Sequence, residues 1–266
     1  MSDNAKGKLK LTILRIIVYA ILVFLVFLCL FFFYLMIVNA SRSNAQLATG
    51  FTLLPKEHFF DNLVNAWNDA SINIPRGMLN SLIIALASAI LTTYFSALTA
   101  YGIHAYDFKG KKAAFLFIMA VMMIPPQVSA VGFIQLVNKF HLTNNFLPLI
   151  LPSIAAPVVF FYMKQYLESV LPMEMVEAAR MDGSNEFMTF NRIVLPIMKP
   201  ALAVQMIFSF VGSWNNYFIP ALLLDKKEMK TVPIMIAQLR SADYSKFDMG
   251  KVYMFILLSI LPVMAF

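Results

Sequence analysis

The chain has 266 residues, 60% of them hydrophobic and only 13% charged, with a mean hydropathy of +0.74. A soluble domain carries about a quarter of its residues as charged side chains, so a soluble globular protein is excluded and an all-α integral membrane protein is expected. The net charge of +7 comes without a basic patch interleaved with aromatics, which excludes nucleic acid as a partner and assigns the charge to the bilayer surface. The single cysteine, Cys29, lies inside an apolar block, so there is no disulfide framework or cysteine-based metal site to build on.

In chain order, residues 1–15 form a short basic tail. Ile16 to Val38 then runs through 23 residues without a charge, long enough to cross about 30 Å of hydrocarbon as a helix. A signal peptide is the competing reading. Its apolar region would be only about 7–15 residues long, and Asn39 to Ser43 makes a poor cleavage site, so a retained span is expected. Ala40 to Gly77 reads as a polar loop. Residues 79–103 form the second span, whose Ser88, Thr92, Thr93, Ser96, Ala97 and Ala100 allow close helix contact.

A basic turn, Tyr106 to Lys112, leads to the third span at 113–137. Pro125 and Pro126, followed by Gln127, interrupt it; proline at membrane depth is tolerated where neighbouring helices or a wet cavity satisfy the freed carbonyls. The pair marks either a structural kink or the wall of a pathway. The fourth span is 147–166, bent by Pro148, Pro152 and Pro157, and the fifth is 201–224, with Trp214, Asn215, Asn216 and Tyr217 at membrane depth. The sixth, 252–266, stops after about 15 apolar residues, too short to cross. A few residues of that span and a tail are expected beyond it.

Lysine and arginine counts, eleven against ten, barely separate the two faces. Near the first span and in the short loops, where the rule reads best, Lys6, Lys8, Lys10, Arg15, Lys109, Lys111 and Lys112 place the N-terminus inside. Lys226, Lys227 and Lys230 are an exception to it. The loop at 167–200 then lies in the cytoplasm.

That loop contains EAARMDGSNEFMTFNRIVLP, residues 177–196. Pro172 can begin a helix, and Glu174 and Glu177 then sit in or near its first turn, where the helix dipole favours carboxylates. Glu177 and Arg180, three apart, can pair on one face. Ala178 and Ala179 offer a surface that another protein can approach closely, and Gly183 can take the left-handed conformation that stops the helix. Phe187, Phe190 and Ile193 can seat the returning segment, with Leu195 and Pro196 setting the turn into the fifth span. Any cytoplasmic loop with a short amphipathic helix has this general character.

The motif itself is more specific. Glu177-Ala178-Ala179, Gly183 four residues after Ala179, and Ile193, Leu195 and Pro196 resemble the coupling loop of binding-protein-dependent ABC importer permeases. Arg180-Met181-Asp182-Gly183 and Pro200-Ala201-Leu202 resemble the carbohydrate branch of that family, although Met181 stands where Ile, Leu or Val is usual. Asn80-Ser81-Leu82, Phe108 to Lys111, Ile124-Pro125 and Trp214 to Phe218 are similar to the same branch, so the likeness covers most of residues 78–224.

The resemblance implies a six-span helical bundle of the type I importer class, similar to the maltose-type inner subunit, with its sixth span incomplete here. It implies an inner or plasma membrane location and four kinds of partner: two ATP-binding subunits, a second and different permease subunit, an extracytoplasmic solute-binding protein, and a sugar. Coupling to the ATPase falls on Glu174, Glu177, Ala178, Ala179, Arg180, Asp182, Gly183, Leu195 and Pro196. Candidate pathway residues are Pro125, Gln127, Trp214, Asn215, Asn216 and Tyr217, whose aromatic faces and amides suit sugar rings and hydroxyls.

No G-x-x-x-x-G-K-[ST] occurs, so ATP and its Mg belong on a partner chain, with no cofactor or metal expected here and no catalytic residue. Three other classes compete. An ATP-independent transporter or channel would need intramembrane charge for ion coupling, and the spans carry essentially none. An importer for amino acids, peptides or metals is disfavoured by the sugar-branch patterns, and a non-transporting scaffold by the polar residues in the third and fifth spans. An enzyme is least supported, because His58, His104 and His141 stand singly.

Overall fold

A computed structural model describes residues 3–69, 71–241 and 248–266. All regular secondary structure among them is helical. The chain divides into two compact units, Met1–Ser71 with Ser241–Leu261, and Ile72–Arg240 with Pro262–Phe266.

In the first unit, helix α1 (Asp3–Ala40) continues without a break from the basic tail into the first span. The expected polar loop after it contains two helices. Ser43 caps α2 (Asn44–Ala48): its hydroxyl accepts from Gln46 N, while the Gln46 side chain accepts from Ser43 N. The other is α3 (Phe59–Trp67). Asn62 on α3 donates to the carbonyls of Ala40 and Arg42, 2.8 and 2.9 Å, and so pins α3 to the end of α1. A Cβ on Gly250 would come within 2.5 Å of Arg42 O and 2.6 Å of Asn62 Nδ2, so only glycine lets that backbone pass. Lys251 then reaches Asp69 at 2.7 Å.

The second unit is organised around α4 (Ile74–Ala105). Asn73, itself at φ 55°, caps it by accepting from Arg76 N, and Pro75 fills the first turn. Its buried face carries Ser88, Thr92, Thr93, Ser96, Ala97 and Ala100, the small and hydroxyl residues that let helices approach closely. Helices α8 (Pro157–Val170) and α12 (Lys199–Trp214) pack there. Thr92 Oγ1 donates to Ser153 O, just past the short helix α7 (Leu147–Ile150), at 2.9 Å. At the other end Asn80 donates to Glu228 O and Lys230 O, and Ser81 Oγ accepts from Val232 N, fastening α14 (Val232–Ser241).

The expected third span is two helices, α5 (Lys111–Val121) and α6 (Pro126–Lys139), separated at 122–125 where Pro125 and Pro126 withdraw two amide donors. The expected fifth span is also divided, with α13 (Phe218–Leu223) separated from α12 at Asn215–Tyr217. No proline lies in that second break. Asn144 clasps the far end of α13: its N–H donates to Leu223 O and its side-chain oxygen accepts from Asp225 N and Lys226 N.

Three helical stretches among the described residues are long and apolar enough to cross a membrane: Lys10–Ala40, Ile74–Ala105 and Leu147–Val170. The count becomes four if the bent pair Glu186–Ile197 and Lys199–Trp214, 82° apart, is taken as one. The helix at the sixth expected span, α15 (Met249–Ala265), is shorter.

Candidate coupling site

Within the expected cytoplasmic loop the structure forms helix α9 (Met173–Met181), with Pro172 at the N-cap rather than inside the first turn. Its end has the hydrogen-bond pattern of a Schellman motif: Gly183 N donates to Arg180 O and Ser184 N to Ala179 O, both at 3.0 Å. Gly183 sits at φ +79°, a conformation that costs a residue with a Cβ about 1–2 kcal/mol. A Cβ there would meet nothing within 4 Å, so the requirement for glycine in this chain comes from the backbone alone.

The two faces of α9 differ. Glu174, Glu177, Ala178 and Met181, at the i, i+3, i+4, i+7 spacing of one helix face, are exposed, as is Asp182 beyond them. Val176 and Ala179 are buried, Val176 in a core built with Phe160, Met163, Phe190 and Met198. The two alanines of the motif therefore separate: Ala178 presents surface, while Ala179 lets the helix sit close to its own bundle.

Arg180 does not take the expected partner. Its Nε donates to Glu186 Oε1 at 2.8 Å, across the turn, in place of Glu177. Glu186 is held from the other side by the Tyr101 hydroxyl near the end of α4, 3.0 Å from Oε2, and the Arg180 guanidinium lies over the Tyr106 ring, 5.2 Å from its centre. Partial burial pushes the Glu186 carboxyl up, but hydrogen bonds from Tyr106, Arg180 and Tyr101 outweigh it and hold the group below the ordinary 4.5. Tyr106 moves upward through burial and the neighbouring carboxylate. Sequence reasoning missed Tyr101, Tyr106 and Glu186; their only signal is that Glu186 follows Asn185, a helix-capping residue.

After the turn, Asn185 Oδ1 accepts from Met188 N and starts α10 (Glu186–Thr189). A π-helical turn, Phe190–Val194, follows, with the Asn191 side chain donating to Phe187 O at 2.8 Å. Phe190, Val194 and Met198 are fully buried, and Phe190 packs against the rings of Tyr94 and Tyr101. Phe187, expected to help seat this segment, is exposed, and so is a large part of the return segment's outer side, with Ile193 half-buried. Leu195 and Pro196 lie in the short helix α11 (Leu195–Ile197). The sharp turn comes after them, where Pro200 in the first turn of α12 cannot continue the preceding hydrogen-bond ladder.

The pathway candidates differ in exposure. Trp214 is buried and stacked on Phe210, ring centres 5.9 Å apart. Asn215, Asn216 and Tyr217 are exposed at the break after it, and Pro125 and Gln127 are exposed at the break between α5 and α6. A cavity of about 340 Å³ lies elsewhere, lined mainly by apolar groups including Phe117, Ile118, Val121, Ala155 and Phe160, and none of the candidates reaches it.

Residues 93–266 match the model of the family described as binding-protein-dependent transport system inner membrane component. The chain is 36% identical over 236 residues to the arabinooligosaccharides transport system permease protein AraQ of Bacillus subtilis (strain 168), covering 87% of this chain and 82% of that protein. It is 29% identical over 270 residues to the sn-glycerol-3-phosphate transport system permease protein UgpE of Yersinia enterocolitica (serotype O:8 / biotype 1B), covering 100% and 94%. Among solved structures, the crystal structure of a bacterial ABC transporter involved in the import of the acidic polysaccharide alginate has a chain that superposes with a TM-score of 0.82 at 20% identity, over 96% of this chain and 94% of that one. That likeness shows the fold.

Proposed function

The chain belongs to the family of binding-protein-dependent transport system inner membrane components, and from that membership we propose that it is the permease subunit of an ATP-driven importer of a sugar or oligosaccharide, coupled to its ATPase through residues 174–196. The observation that carries the reading is α9. A nine-residue helix seated on the bundle by Val176 and Ala179 offers Glu174, Glu177, Ala178 and Met181 outward, where the described residues leave them uncovered.

On this reading the exposed face enters a cleft of one of two ATP-binding subunits, which carry ATP and Mg. A second, different permease subunit completes the pathway, and an extracytoplasmic solute-binding protein delivers the cargo. Six spans, with residues 252–266 as part of the sixth, and a cytoplasmic N-terminus complete the topology. ATP binding draws the ATPase pair together and moves α9 as a lever, and the difference in affinity between the two transporter states supplies the work. Glu177 anchors the helix, Ala178 permits close approach and Gly183 ends it.

Sugar as cargo is supported by the relation to AraQ, and by the amides and aromatic ring exposed at Asn215 to Tyr217. UgpE supplies the contrast, a relative named for a polyol phosphate. The test is ATP hydrolysis by the reconstituted complex with its binding protein, across arabino-oligosaccharides, other oligosaccharides and glycerol 3-phosphate. Stimulation by oligosaccharides is expected; stimulation by glycerol 3-phosphate alone would overturn the sugar assignment.

A further inference from the structure

Helix α3 is built inside out for a helix in water. Its inner face carries Asn62 and Ala66, both buried, while Phe60, Val64 and Trp67 stand 73, 56 and 47% exposed. Those three are spaced i, i+4, i+7 and form one stripe on the outer face. Asn62 tolerates burial because the Ala40 and Arg42 carbonyls accept from its side-chain amide, and the same two bonds fix α3 at the level where α1 ends.

The segment leading to α3 goes deeper. The Tyr34 hydroxyl donates to Leu53 O at 2.5 Å. Tyr34 lies four residues inside the apolar run that ends at Val38, about 6 Å along a helix. The loop thus folds back beside the span, with Phe51 and Leu54 each more than two-thirds exposed on it. Interfacial helices bury their apolar face about 5–10 Å into the boundary between headgroups and acyl chains, and tryptophan favours that level. Along α1 the apolar residues from Leu11 to Phe27 are exposed as well, so apolar surface is left open both along the span and at its end.

We infer that residues 51–67 form a lipid-inserted foot, with Phe51, Leu54, Phe60, Val64 and Trp67 in the headgroup–acyl boundary of the leaflet at the C-terminal end of α1. The foot ties the end of that span to the membrane plane. It is independent of the coupling assignment and of which face is cytoplasmic. Lipid is the proposed occupant because the depth set by Tyr34 and Leu53 lies within the thickness of the span, and the stripe carries no charged side chain; coverage by a second membrane subunit is the outcome the measurement below distinguishes.

Site-directed nitroxide labelling tests this in the full transporter assembled in lipid nanodiscs. The chain carries Cys29→Ser, which removes its only cysteine, and the partner subunits lack reactive cysteines. Single labels replace Phe60, Val64 and Trp67 on the stripe, and Asp61 and Asn65 beside it. Collisions with oxygen, which partitions into lipid, are expected to exceed those with a water-soluble nickel chelate several-fold at 60, 64 and 67, and the order to reverse at 61 and 65. Low collision with both reagents along the stripe would show a protein covering it and overturn the foot. Nickel-dominated collision at all five positions would place the helix in water and overturn it equally.

Discussion

At the residue scale, the turn out of α9 needs a conformation that few side chains can hold. Gly183 at φ +79° ends α9 with open space around it, so substitutions there separate backbone from bulk. Gly183→Val costs about 1–2 kcal/mol in this chain, and on the proposed reading also places a branched side chain beside the docked ATPase. Uptake is expected to fall at least tenfold while membrane insertion, followed by immunoblot of membrane fractions, persists. Asn tolerates the left-handed region, so Gly183→Asn should retain more uptake than the valine variant; equal loss in both would show that bulk, not backbone, decides.

Asp69 offers a pH test. Its carboxyl is pushed up by partial burial, but hydrogen bonds from Lys251 and Ser71 outweigh this and bring it from an ordinary 3.8 down to about 2. A depressed carboxylate stabilises above its unfolded value and loses that contribution as the pH falls through the folded one. The ion pair should therefore be intact at pH 5 and above, fading only between about pH 4 and 2. Asp69→Asn should lower the midpoint of thermal unfolding equally at pH 5 and pH 8, read by thermal aggregation of the detergent-solubilised protein.

Some of this detail is present in the local sequence. Pro172 and Gly183 bound α9 because capping is decided by a few neighbouring residues. Ala179 turning inward and Arg180 choosing Glu186 over Glu177 are not legible, because both depend on a bundle face and a tyrosine supplied by α4, far away in the chain.

At the element scale, Arg180, Glu186 and Tyr101 join α9 to α4. Each link is partly exposed or partly buried, so its contribution to folding stability is small; on the proposed lever reading, together the links make α9 and α4 move as one body. Replacing one hydrogen bond worth about 1 kcal/mol shifts a two-state balance about 5-fold. Tyr101→Phe keeps the packing against Phe190 and deletes only the hydroxyl. It is expected to lower uptake per ATP hydrolysed severalfold with little change in unfolding temperature. Glu186→Gln should do the same, and the double variant should be no worse than the worse single one, since both cut the same link. A fall in unfolding temperature with an unchanged uptake-to-hydrolysis ratio would make the cluster merely structural.

The helix breaks were legible only in part. Pro125 and Pro126 announce the interruption of α5 and α6. The one at Asn215–Tyr217 has no proline to mark it, and the 82° turn falls at Met198, between Pro196 and Pro200, so neither proline alone locates it.

At the scale of the whole molecule, a membrane chain of the importer-permease family, whose described residues form only helices as regular structure, presents on α9 an exposed face of Glu174, Glu177, Ala178 and Met181. Composition was sufficient to place the protein in a membrane. The coupling motif, whose residues lie close together in sequence, was sufficient to suggest the family, and the family match over residues 93–266 establishes it. The break after Trp214 was not legible in the same way: Trp214 is buried against Phe210, and Asn215 and Asn216 lie exposed at an interruption that only the folded chain reveals.

The central claim is that α9 docks its outer face on the ATPase. Cross-linking measures it most directly. In the Cys29→Ser background, Ala178→Cys and Met181→Cys on the exposed face and Ala179→Cys on the buried face are labelled with benzophenone-4-maleimide and irradiated in the assembled complex, so that no cysteine is needed on the ATPase. A covalent permease–ATPase product is expected from 178 and 181, suppressed at 179. No product from the exposed positions, or equal yield at all three, would contradict it.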